Sequence, residues 1–65
     1  MPSLEERIYL VKSELEQAGF IVKIAPSNSI NITLTNRMVH IQEIEVLDLP
    51  IRTYQSSQGV VAVVL

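Results

Sequence analysis

The chain has 65 residues, of which 48% are hydrophobic and 18% charged, and its net charge is −2 at pH 7. This length predicts a single domain, residues 1–65, and so small a domain buries only about 60% of the surface that its unfolded chain exposes. The sequence contains no cysteine, which excludes disulfides and thiolate metal sites. Small domains often gain stability from disulfides or metal ions, and here dense packing or self-association has to take their place. We therefore expect a homodimer or a larger assembly.

The charge distribution bears on the class of partner and on location. The five basic residues are scattered along the chain and form no cluster, which disfavours nucleic acid as a partner without excluding it. Glu5 and Glu6 stand where a secretory signal would need basic residues. The longest apolar run has six residues, far fewer than the ~20 that span a bilayer. We therefore predict a cytoplasmic protein with no membrane association.

The N-terminal segment predicts a helix over residues 3–18. Ser3 and Glu6 have the spacing of a capping box, in which the serine side chain accepts from the amide of residue 6 and the glutamate reaches back. Gly19 follows the segment, where a left-handed residue commonly ends a helix. The apolar residues recur at steps of three and four and form one stripe: Leu4, Ile8, Val11, Leu15 and Ala18.

Two strands are predicted next, over residues 20–25 and 30–35. The first is rich in β-branched side chains and stops at Pro26. Residues 27–29 (Ser-Asn-Ser) are typical of a turn. The second strand alternates strictly between apolar and polar side chains, which predicts that one of its faces is exposed to solvent. The two segments are expected to pair as a hairpin.

Residues 38–46 are predicted to form a third strand. In a regular strand the odd-numbered Val39 and Ile41 would face one side of the sheet, and the even-numbered Ile44 and Val46 would face the other. A single β-bulge near residues 42–43 adds one residue to the strand and would bring all four side chains to the same side. The alternative is a helical turn, but the apolar positions would then wrap around the helix instead of forming a stripe.

Two further strands complete the prediction, at residues 51–55 and 60–65. The last is uniformly apolar, so both of its faces should be covered. The helix stripe covers one face only. We expect the other to be closed by barrel curvature, by a symmetry mate or by another protein.

The element order predicts an α+β fold, with the N-terminal helix packed on one face of a small, mostly antiparallel sheet of four or five strands. Short connections favour the antiparallel arrangement. The alternative is a helix added to a small Sm-like or SH3-like five-stranded barrel, which has the same element order. Such barrels bend their strands at glycines, whereas Gly19 and Gly59 lie outside the strand interiors of this chain.

The sequence predicts no catalytic, metal or cofactor site, and we expect a protein that is not an enzyme. His40 is the only plausible base near neutral pH, and no cysteine accompanies it. Glu43 and Glu45 would share a strand face, which at best makes a weak cation site. The two glycines are forty residues apart, so a glycine-rich phosphate loop is excluded.

Two surfaces are candidates for binding. An apolar candidate interface for self-association or a protein partner comprises Val61, Val63, Leu65, Tyr9 and Leu10. A polar recognition face on the sheet comprises Lys23, Asn31, Thr33, His40, Arg52 and Tyr54. We expect a non-catalytic, regulatory, protein-binding module that self-associates; the alternative is a nucleic-acid-binding module that uses the polar face.

Overall fold

A computed structural model describes residues 2–65, and the prediction of an α+β fold is confirmed. Over that range the elements are α1 (Leu4–Gln17), β1 (Ile21–Ile24), β2 (Ile30–Thr33), α2 (Ile41–Glu45), β3 (Ile51–Ser56) and β4 (Gly59–Val64). Among these residues no helix has both the length and the apolar composition that crossing a membrane requires.

Helix α1 begins and ends as its capping signals predict. The Ser3 side chain accepts a hydrogen bond from the backbone N–H of Glu6 at 3.2 Å, which satisfies one of the free amides of the first turn. Beyond the helix, Gly19 adopts a φ of +99°, the left-handed conformation that glycine tolerates best. The middle of the predicted stripe is buried, whereas Leu4 and Ala18 at its two ends are exposed.

The strands form an open antiparallel sheet in the order β1-β2-β4-β3. Strand β4 lies between β2 and β3 and pairs with both. The connection through α2 carries the chain past the position of β4 to the edge, and β4 then returns between β2 and β3. Because β1 and β3 are edge strands, the alternative of a closed barrel is not confirmed.

Both helices pack on one face of this sheet, which we call the inner face. Its buried side chains are Val22, Ile30, Ile32, Val60 and Ala62, and they form one cluster with residues of both helices and with the segment before α2: Ile8, Val11, Leu15, Val39 and Ile44. Ile24 points to the same face but is 37% exposed. The opposite face, which we call the outer face, carries no helix in residues 2–65.

The predicted bulged strand over residues 38–46 is wrong. Residues 41–45 form the short helix α2 instead, so the described residues contribute four strands to the sheet, one fewer than the five predicted segments. Ile44 is 1% exposed and Val46 is 79% exposed, although the strand interpretation placed both on one face. The change of parity at residues 42–43, which the prediction assigned to a bulge, reflects a change to helical periodicity.

Candidate binding surface

The outer face brings together most of the residues that the sequence assigned to two separate surfaces. The pairing places Lys23, Asn31, Val61 and Tyr54 side by side in one row across all the strands. Side chains two residues apart along a strand share a face. The outer face therefore comprises Ile21 and Lys23 of β1, Asn31 and Thr33 of β2, Val61 and Val63 of β4, and Arg52, Tyr54 and Ser56 of β3.

An apolar group occupies the β3–β4 half of the outer face. Tyr54 is directly paired with Val61, and Arg52 with Val63. The exposed fractions are 54% for Tyr54 and 42% for Val63, and Val61 is half-buried. We call Tyr54, Val61 and Val63 the apolar centre. Both faces of this strand were expected to be covered, the second by barrel curvature, by a symmetry mate or by another protein. Within residues 2–65 only the inner side of β4 is covered.

The charged side chains of the outer face are both cations, Lys23 on β1 and Arg52 on β3. The seven acidic residues of the chain lie elsewhere: Glu5, Glu6, Glu14 and Glu16 on α1, Glu43 and Glu45 on α2, and Asp48 in the turn that follows α2. The molecule therefore separates its charges, with a positive sheet face and a negative helical layer. The net charge of −2 conceals this separation.

A polar depression of about 210 Å³ adjoins the β3–β4 turn. Gly59 forms part of its wall and has a φ of +151°. A Cβ at this position would stand 2.4 Å from the carbonyl oxygen of Ile32, so any other residue would force the strands apart. The side chains that line it are an ammonium, two amides and two hydroxyls, from Lys23, Asn31, Gln58, Thr33 and Ser56.

The remaining predicted interface residues lie away from the outer face. Tyr9 and Leu10 are 64% and 61% exposed on α1, on the side of that helix that faces away from the sheet. Leu10 lines an apolar groove of about 260 Å³ between α1 and the Leu49-Pro50 segment. Leu65 follows β4; its backbone N–H donates to the carbonyl of Pro50 at 3.0 Å, and its carbonyl accepts from the guanidinium of Arg7.

His40 also lies apart from the outer face, because the predicted strand that carried it is a loop followed by α2. Its backbone N–H donates to the carboxylate of Glu43 at 3.0 Å. Arg37 donates to both oxygens of the same carboxylate, at 2.7 and 2.6 Å. The hydrogen bond from Arg37, followed by that from His40, lowers the pKa of Glu43 to about 2. These contacts stabilise the start of α2.

The candidate surface offers binding groups rather than a reactive constellation. Aliphatic, amide and hydroxyl side chains dominate the outer face, with Tyr54 as its aromatic residue. Among residues 2–65 there is no group of three or more His, Cys, Asp or Glu side chains placed to hold a metal ion. The outer face is therefore a shallow surface of mixed apolar, polar and cationic side chains.

Comparisons of this chain with protein-family models, with curated proteins and with solved structures found no match. The candidate surface is therefore defined by its own geometry and chemistry. Sequence reasoning missed the Arg37–Glu43 pair, which depends on α2, and the polar depression, which depends on the strand order. The alternation in residues 30–35 contained part of the signal, since Asn31 and Thr33 fall at its outward positions. The uniformly apolar last strand contained no such signal for Val61.

Proposed function

We propose that this protein is a small, non-catalytic, regulatory module that binds proteins, including its own copies, through the outer face. The observation that carries this proposal is the apolar centre, which lies on a sheet face that no other element of residues 2–65 covers. Val63 and Tyr54 are 42% and 54% exposed. Covering them removes apolar surface from water, which contributes about 25 cal/mol per Å².

The arrangement of side chains supports a protein contact. The central strand β4 supplies Val61 and Val63, and the edge strand β3 supplies Tyr54. The two cations stand on the edge strands β1 and β3. An apolar centre with a polar rim is the usual anatomy of a protein–protein interface. Tyr and Arg, both present here, are the residues that most often dominate the binding energy of such interfaces.

The size of the outer face favours a weak, reversible contact. Strands are spaced about 4.8 Å apart and rise about 3.4 Å per residue. With four residues in β1 and β2 and six in β3 and β4, the face measures roughly 19 Å across the strands and about 14 to 20 Å along them. Stable complexes bury about 800 Å² per partner, which is more than twice this area. We therefore expect association that depends on concentration, as suits a regulatory module.

Sedimentation velocity over a wide range of protein concentration tests the proposal. The wild-type protein should gain mass as its concentration rises. Val63→Glu should weaken association by about tenfold or more, because the contact would lose the apolar surface of Val63 and would have to remove a carboxylate from water. Val46→Glu is the matched control: Val46 is 79% exposed and directly follows α2 as its C-terminal cap residue. A wild-type protein that stays monomeric throughout would refute self-association.

A second candidate function, binding of single-stranded nucleic acid, is favoured by the charge of the same face. Lys23 and Tyr54 lie in one row, with Arg52 two residues from Tyr54, and the acidic residues lie elsewhere. A sheet can bind RNA by stacking bases on aromatic side chains beside cations, although here the aromatic contribution is a single tyrosine. Titration with short single-stranded RNA should then show saturable binding that salt and Tyr54→Ala both weaken. The absence of binding at low salt would eliminate this candidate.

A further inference from the structure

We infer that copies of this chain associate head to tail, with the solvent side of α1 of one copy resting on the outer face of the next. This inference rests on the self-association proposed above and specifies its geometry. The occupant of the outer face is then a second copy, and the two contact surfaces lie on opposite sides of each molecule.

The solvent side of α1 is apolar and acidic. Tyr9 and Leu10 are its most exposed large apolar side chains, at 64% and 61%. The helix carries four carboxylates against two cations, Arg7 and Lys12. Lys12 already pairs with Glu16 at 3.6 Å, and Arg7 donates to the carbonyl of Leu65. Tyr9 and Leu10 point about 100° apart around the helix axis, and the exposed polar side chains of Glu6, Ser13 and Gln17 lie between them. The exposed side of α1 therefore presents two large apolar side chains together with negative charge.

The outer face complements the solvent side of α1 both in apolar contact area and in charge. Tyr54, Val61 and Val63 offer apolar contact area, and Lys23 and Arg52 flank it with positive charge. A sheet-to-sheet contact between two copies would instead bring four cations together with no carboxylate on either surface. Like charges placed opposite one another across an interface cost several kcal/mol, so complementarity favours the helix of one copy on the sheet of another.

The dimensions of the two surfaces also agree. Helix α1 has 14 residues and is therefore about 21 Å long. Strands β3 and β4 have six residues each and extend about 20 Å. Within each molecule the other side of α1 already packs on the inner face of the sheet. Head-to-tail contact repeats this alternation of helix and sheet between molecules.

Head-to-tail contact uses two different surfaces and does not close at two subunits. Such heterologous contacts produce a ring when the rotation closes, or an open filament when it does not. Each contact uses a surface of modest area, so we expect the assembly to dissociate on dilution. Added salt should also weaken it, because the flanking charges lie at the exposed rim of the contact.

Two variants, each with one damaged surface, test the arrangement. Val63→Glu damages the sheet surface and leaves α1 intact, and a Tyr9→Lys, Leu10→Lys double variant damages the helix surface and leaves the sheet intact. Each should be monomeric alone in sedimentation velocity. Mixed in equal amounts, they should form a one-to-one dimer and stop there, because the only intact helix surface meets the only intact sheet surface.

Several outcomes would overturn the inference. A helix-surface variant that self-associates as the wild type does would indicate sheet-to-sheet contact, and would leave the proposed function standing. A mixture that remains monomeric would also refute the head-to-tail contact. Association that strengthens with added salt would likewise refute the head-to-tail contact, because salt screens the repulsion between the like charges of a sheet-to-sheet contact. A wild-type protein that is always monomeric would refute this inference together with the self-association part of the proposed function.

The test depends on variants that fold. Circular dichroism and thermal unfolding of each variant establish this before mixing. If Val63→Glu alters either signal, Lys23→Glu combined with Arg52→Glu serves as the second sheet-surface variant, since both side chains are exposed. The same dimer is expected when this charge-reversed variant is mixed with the helix-surface variant.

Discussion

The side-chain amide of Gln55 donates a hydrogen bond to the backbone carbonyl of Val39 at 2.8 Å. The same side chain accepts from the backbone N–H of Ile41 at 3.1 Å and donates to the carbonyl of Gly59 at 3.1 Å. One residue of β3 thereby ties the first turn of α2 to the β3–β4 hairpin. The amide of Ile41 belongs to the helix start, where backbone donors lack partners within the helix.

Gln55→Ala should lower the free energy of unfolding by about 1–2 kcal/mol, because it leaves two backbone groups at the start of α2 without their partner. Urea denaturation measures this loss, and hydrogen exchange should accelerate at the amide of Ile41. Gln58→Ala, in the turn between β3 and β4, is the matched control and should change little. Equal stability of the two variants would contradict the proposed role of Gln55.

Gly59→Ala should destabilise the fold by more than about 3 kcal/mol, because the left-handed backbone disfavours a side chain and the new Cβ would meet the carbonyl of Ile32. Gly19→Ala is the comparison. It has a φ of +99° but open space around its Cβ position, so it should cost only about 1–2 kcal/mol. Thermal and urea unfolding of both variants measure the difference. Similar losses would show that the close approach of β2 and β4 is unimportant.

Glu43 should contribute to stability above its ordinary pKa of 4.5 and lose that contribution in acid. Arg37 and the His40 amide lower its pKa to about 2 in the folded protein. A carboxyl with a lowered pKa stabilises the fold while it is ionised, so the contribution is full above pH 4.5 and is lost as the pH falls towards 2. The free energy of unfolding of the wild type should therefore exceed that of Glu43→Gln near neutral pH.

The two curves of unfolding free energy against pH should converge as the pH approaches 2. Glu45→Gln, in the same short helix, serves as the control. A difference between wild type and Glu43→Gln that persists unchanged in strong acid would show that the amide replacement acts through packing and not through charge.

Substitutions at two nearby apolar residues, one within α2 and one directly after it, should have opposite effects on stability. Ile44 is 1% exposed, so Ile44→Ala should cost about 2–5 kcal/mol in the free energy of unfolding. Val46 is 79% exposed, and Val46→Lys should change stability by less than about 0.5 kcal/mol. Urea unfolding of both variants checks this contrast. A severe loss in both would instead support a bulged strand that buries the two side chains together.

Local patterns in the sequence predicted the elements whose burial is regular. The stripe on α1, its serine cap and Gly19 agree with the structure because a helix depends mainly on neighbours three and four residues apart. The alternation in residues 30–35 likewise indicated β2. Residues 38–46 were misread because a five-residue helix presents a single turn of periodicity, and Val46 was counted as buried although nothing in the described chain covers it.

The candidate surface could be predicted only in part for a related reason. Sequence parity showed which side chains share a face within one strand, but not which strands are neighbours. The placement of β4 between β2 and β3 decides that Asn31, Val61 and Tyr54 form one row. Val61 and Val63 of the predicted apolar interface thus share a face with most of the predicted polar surface. The other predicted residues, Tyr9, Leu10, Leu65 and His40, lie away from that face.

By itself the sequence determined the α+β class, the helix with its caps and the apolar character of the last strand, because these follow from local periodicity and backbone preference. Only the tertiary structure decided the strand order, the second helix and the separation of charge between an acidic helical layer and a basic sheet face. These depend on contacts between residues far apart in the chain. Gln55 and Val39, sixteen residues apart, form one of the contacts that no local pattern contains.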